Sequence, residues 1–169
     1  MIRLLVVFIH VCAAMGMFGA AAIEGASTLE LNRAGASPTA LQGFALARRL
    51  GSLSFALILL SGIFLTQTVW GWQTAWIQVA MSSIVMMVLI GATVTRRAMT
   101  RLQATPAAVD TYQALVWSFL TRAGILIGIV FLMTVKPPLA ESLIALGAAA
   151  GAGFLAGLPS RRRRASRVV

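Results

Sequence analysis

The sequence predicts an all-α protein, a polytopic bundle of five transmembrane helices with its amino terminus outside and its carboxyl terminus in the cytoplasm. Three observations predict it. Of 169 residues 59% are hydrophobic and only 11% charged, an apolar share that a soluble domain of this length has no interior to hide. The apolar residues come in runs of about twenty, the length that crosses roughly 30 Å of hydrocarbon at 1.5 Å per residue. Finally, the fourteen Lys and Arg residues punctuate these runs and do not stripe a face, so the net charge of +10 reads as a topology signal and not as a nucleic-acid footprint.

Taken in order, the spans fall at about 4–23, 50–69, 75–95, 114–135 and 139–158. Between Leu50 and Thr95 no charged residue occurs. The polar run Gln67-Thr68-Val69-Trp70-Gly71-Trp72-Gln73-Thr74 divides that stretch into two helices, and its Trp residues suit the headgroup level, where an indole buries its ring and wets its N–H. Lys136-Pro137-Pro138 ends the fourth span and seeds the fifth, with Glu141 in the first turn of the new helix, where an acid suits the dipole. The fifth span is rich in Ala and Gly, and charge supports it: without it the arginine tail would lie beside Lys136.

With five spans, Arg33, Arg48 and Arg49, Arg96, Arg97 and Arg101, and the tail Arg161, Arg162, Arg163, Arg164 and Arg167 share one side, against Arg3 and Lys136 on the other. Eleven against two marks the first side as cytoplasmic. A cleaved signal peptide is the competing account of the amino terminus, since Arg3, an apolar stretch and the small residues Gly19 to Ala22 resemble its three regions. Cleavage would invert every later loop against the charge rule, so the first helix is expected to be retained. The expected location is a bacterial cytoplasmic (inner) membrane.

Two segments lie between the spans on the cytoplasmic side. Ser37-Pro38 has the form of an N-cap and a first-turn proline, and Leu41, Phe44 and Ala45 recur at helical spacing up to Arg48 and Arg49. A short interfacial helix over about 38–49 on the inner leaflet is expected. The segment 96–113 holds Pro106 and little periodicity, and is expected to be a loop. The basic tail 161–169, with Arg161, Arg162, Arg163 and Arg164, is expected to contact anionic lipids on charge alone.

Ionisable residues inside lipid are costly and therefore candidates for function. His10, the single histidine, lies in the first span with Val6, Val7, Ala13, Ala14 and Met17 on its face. Its imidazole either ligates haem iron or copper or bonds a Ser or Thr on a neighbouring helix. Met17 is about 10 Å further along the same helix, too far to share an ion with it. Arg122, in the fourth span, costs roughly 2.5–3.5 kcal/mol near a helix centre. It can pair with Glu24 at the end of the first span, hold an anionic group of a ligand, or snorkel. Gly124-x-x-x-Gly128, Gly147-x-x-x-Gly151 and Gly153-x-x-x-Gly157 permit close helix packing, within the chain or against a partner. Cys12 is the single cysteine and has no intramolecular disulfide partner. No nucleophile elbow, phosphate-binding loop or zinc-protease motif stands in the chain.

The run His10-Val11-Cys12-Ala13-Ala14-Met15-Gly16-Met17-Phe18-Gly19-Ala20 resembles the first helix of copper-resistance-D-like membrane proteins and of related small integral membrane proteins of unassigned function. The resemblance extends loosely through Arg48-Arg49-Leu50-Gly51 and Lys136-Pro137-Pro138 and covers about half the chain. It implies copper handling or haem-linked membrane chemistry, with His10 as the carried-over ligand. This sequence departs from that pattern in lacking the further histidines of the copper and haem members.

The function expected from these readings is a non-catalytic binding or accessory module that takes haem or copper through His10. The alternatives are a small-solute transport component and a structural subunit of a larger membrane complex. The expected partners are the lipid bilayer and either further copies of the chain or a larger complex, with no nucleic acid.

Overall fold

The computed structural model describes residues 1–104 and 109–158, and among these every regular element is helical. The elements are α1 (Ile2–Ala34), α2 (Pro38–Leu65) ending in a π-helical turn (Thr66–Trp70), and α3 (Ala75–Ile90). A second π-helical segment (Gly91–Thr95) leads without a break into α4 (Arg96–Ala104), followed by α5 (Val109–Val135) and α6 (Leu139–Gly157). Five continuous helical stretches are long and apolar enough to cross a membrane: Ile2–Ala34, Pro38–Trp70, Ala75–Leu102, Thr111–Val135 and Leu139–Gly157.

The chain makes two antiparallel hairpins, α1 with α2 and α5 with α6, and α3 packs on α5 and α6 while α1 packs on α5. The first hairpin turns at Gly35, whose φ of 71° suits a residue without a Cβ. Ser37 then caps α2, its Oγ accepting from the Ala40 amide at 3.2 Å, with Pro38 in the first turn. The second hairpin turns at Lys136, the one non-glycine residue with a left-handed φ (53°) among those described, and Pro137-Pro138 start α6 behind it.

Two cores hold the hairpins together. The larger joins Val79, Ala80, Ile84 and Met87 of α3 to Ile125, Leu126, Ile129 and Leu132 of α5 and to Leu146 of α6. The smaller gathers Leu31 of α1, Ala40 and Phe44 of α2, Ala98 and Leu102 of α4, and Leu115 of α5. This second core lies at the arginine-bearing end of the bundle, and it corrects two expectations.

Residues 38–49 are not a separate interfacial helix; they are the first turns of α2, which runs unbroken to Leu65. Nothing between Arg48 and Gly51 breaks a helix, and Ala40, Phe44 and Ala47 are buried. Residues 96–104 are likewise helix and not loop, because Ala98 and Leu102, four apart, both face the second core. Residues 109–113 of that expected loop are the first turn of α5, while 105–108 and the basic tail 161–169 lie outside the described residues. α1 also runs past position 23 to Ala34. Its polar hydroxyls are satisfied by the helix itself: Ser27 Oγ donates to the Ile23 carbonyl and Thr28 Oγ1 to that of Glu24, each at 2.8 Å. Such back-bonding lets a polar stretch remain helical.

Candidate functional site

The polar centre of the molecule forms where α1, α5 and the π-helical segment after α3 meet. Arg122 on α5 donates from Nη2 to Glu24 Oε1 on α1 and from the same nitrogen to Thr95 Oγ1 at 3.3 Å. Its Nε donates to the Ser118 carbonyl one turn back, at 3.3 Å. Ser118, fully buried, closes the ring with its Oγ 2.9 Å from Thr95 Oγ1. The two charged side chains are only 19% and 12% exposed, and theirs is the one ion pair among the described residues.

Two glycines adjoin this arrangement. A Cβ on Gly25 would come 2.8 Å from Phe119 Cζ, the far end of a side chain on α5 that would have to shift to admit it. A Cβ on Gly91 would stand 3.6 Å from Arg122 Nη1, in contact with the guanidinium. The π-helical segment begins at that glycine and carries Thr95 to the arginine. A wider helical turn of this kind commonly re-aims a side chain at a functional position. Chemically, the ring neutralises a cation in apolar surroundings and fixes three elements in register. Sequence reasoning does not single out Thr95, Ser118, Gly25 or Gly91, and the one signal available for any of them is that Gly25 adjoins Glu24.

His10 stands apart, about 21 Å from Glu24 along α1. Its Nδ1 is 2.8 Å from Ser61 Oγ on α2. Ser61 in turn directs its hydroxyl to the carbonyls of Leu57 and Ile58. Where Nδ1 is the protonated nitrogen it donates to Ser61 Oγ and Nε2 keeps its lone pair; in the other tautomer Ser61 donates to Nδ1 and Nε2 carries the proton. Gly62 lies beside the ring, where a Cβ would stand 3.5 Å from Cε1. Cys12 is exposed, as is Met15, while Met17 packs against the larger core. No group of three His, Cys, Asp or Glu side chains is gathered among the described residues.

The glycine motifs divide. A Cβ on Gly124 would collide with the Ala149 carbonyl oxygen, and one on Gly153 with that of Leu120. Gly128 lies 3.0 Å from Leu146 Cδ1 and Gly157 lies 2.9 Å from Trp117 Cα on the same measure. These four seat α5 and α6 against each other. Gly147 and Gly151 have no atom within 4 Å of such a Cβ and face away from α5. At the opposite end of the bundle Lys136 stands over the Trp70 ring, 4.2 Å from its centroid, and Trp70 meets Trp76 edge to face.

Comparison with protein families, with curated proteins and with solved structures finds no match to this chain.

Proposed function

We propose that the chain is an integral membrane protein that crosses a bacterial cytoplasmic membrane five times, amino terminus outside, and serves as a non-catalytic binding or accessory module with His10 as its ligand-binding group. Five long apolar helices support insertion. The arginine distribution supports the orientation. α1 is about 50 Å long against roughly 30 Å of hydrocarbon, so on this reading the second core lies beyond the apolar slab as a cytoplasmic cap. There burial from water stabilises packing, whereas within lipid close van der Waals contact must do so. The Arg122–Glu24 ring then sits in the cytoplasmic half of the slab, Arg122 being about 21 Å along α5 from Lys136, which stands over Trp70.

The His10–Ser61 hydrogen bond is the interhelical contact named as the alternative for His10; it supports the binding role only in that it occupies one ring nitrogen and fixes the ring, leaving the other nitrogen for a ligand. Histidines that ligate metals commonly donate from the second ring nitrogen to a fixed acceptor, which sets the tautomer and aims the lone pair. His10 is the residue that would hold a haem iron, and the haem would supply one-electron chemistry when bound. A single imidazole does not meet the donor requirement of a copper ion, which takes two or three protein donors. Copper at His10 therefore requires donors from a second chain.

An absorption spectrum of gently solubilised protein, oxidised and reduced, with metal analysis of the same sample tests this reading. A Soret band that is lost in His10→Ala is the expected result. A colourless, metal-free protein from haem- and metal-replete cells would overturn it and leave His10 as an interhelical packing residue.

A further inference from the structure

α4 buries one face and exposes a strongly basic one. Ala98 and Leu102 are fixed in the second core, while Thr93, Arg96, Arg97, Thr100 and Arg101 line an open depression of about 460 Å³ together with Ala92. None of these arginines is ion-paired among the described residues. Along the same continuous helix, immediately before this depression, the exposed residues turn apolar: Val85 is 53%, Met86 49% and Leu89 57% exposed. A single rigid helix thus presents an apolar surface, then small residues, then three guanidinium groups.

We infer that this strip is a docking surface for an anionic phospholipid, with an acyl chain along Val85, Met86 and Leu89 and the headgroup phosphate held by Arg96, Arg97 and Arg101. Guanidinium is the side chain best matched to phosphate oxygens, through its paired N–H donors. The Thr93 and Thr100 hydroxyls already donate to their own helix, to the carbonyls of Leu89 at 2.7 Å and Arg96 at 3.1 Å. Their oxygens remain as acceptors, which suits a headgroup that carries hydroxyl donors, as phosphatidylglycerol does. Burial of Ala98 and Leu102 holds the arginines on a fixed scaffold, unlike arginines on a free tail. The inference rests on the membrane reading above and adds to it a specific lipid class and place.

The test uses the full chain reconstituted in phosphatidylcholine vesicles, with spin-labelled phosphatidylglycerol or phosphatidylcholine as the probe. Flotation of the vesicles first reports whether the protein inserts; failure there contradicts the membrane reading itself. For inserted protein, the motionally restricted fraction should favour phosphatidylglycerol by roughly fivefold, falling to about twofold or less in Arg96→Gln/Arg97→Gln/Arg101→Gln. Arg→Lys at the same positions should keep an intermediate preference, since the charge remains while the paired N–H donors are lost, which separates charge loss from misfolding. Arg33→Gln/Arg48→Gln/Arg49→Gln should leave it nearly intact. Equal loss in that control, or displacement of the labelled lipid by millimolar inorganic phosphate, would overturn the inference. The first result would indicate diffuse charge and the second a soluble-anion site.

Discussion

Glu24→Ala is expected to lower the stability of the solubilised protein by about 3 kcal/mol, near the low end for removing one partner of a buried pair. Arg122 would keep its cost among apolar neighbours and lose the carboxylate it pairs with, with Thr95 Oγ1 and the Ser118 carbonyl too weak to replace it. Arg122→Leu should likewise cost stability, since it leaves the Glu24 carboxyl without its partner. The double variant Glu24→Ala/Arg122→Leu should recover much of the loss, because no desolvated charge remains. Thermal unfolding of the four proteins in one detergent checks this. Additive losses in the double variant would show that the two side chains are not coupled.

Gly153→Ala is expected to have the second large effect. Its Cβ would enter the Leu120 carbonyl, backbone that cannot swing aside, so α6 must move away from α5. Overpacking of this kind costs about 1–3 kcal/mol, and Gly124→Ala, aimed at the Ala149 carbonyl from the other helix, should cost a similar amount. Gly147→Ala and Gly151→Ala meet nothing within 4 Å and should be neutral or slightly stabilising, since alanine is the better helix former by about 1 kcal/mol. The same thermal assay checks the contrast. Equal effects at all four positions would contradict the α5–α6 register.

The residues behind these two predictions also mark what the sequence discloses. The five helices are legible because a charge-poor apolar run of spanning length matches the thickness of a bilayer and exceeds what a small soluble core can bury. The Arg122–Glu24 pairing is one of three choices open to the sequence, because an arginine in an apolar run demands a partner, an anion or a route out. Most helix ends are not legible: hydropathy reports the solvent around a segment and not its backbone. The Ser37-Pro38 start of α2 is read correctly but not its continuation past Arg49, and residues 24–34 and 96–104 are polar yet helical. In the last case Ala98 and Leu102 give a signal too short to stand out.

The hydroxyls beside the ion pair escape the sequence for another reason. Residues such as Thr95 and Ser118 are common in apolar helices, where most bond their own backbone, and no composition encodes a π-helical shift at Gly91. Three glycine motifs of identical spacing likewise read alike. Only the register against the facing helix separates Gly153 and Gly157, which touch α5, from Gly147 and Gly151, which do not.

Both the binding role and the lipid strip depend on the five-span arrangement, and site-directed labelling tests it most directly. In a Cys12→Ser background, single cysteines at Gln73, at the Trp-bearing turn, and at Arg101, in the basic strip, would be exposed to a membrane-impermeant maleimide on intact spheroplasts. Labelling of Gln73→Cys from outside, and of Arg101→Cys only after permeabilisation, is the expected result. Arg101→Cys labelled in intact spheroplasts, or both positions labelled from the same side, would contradict it.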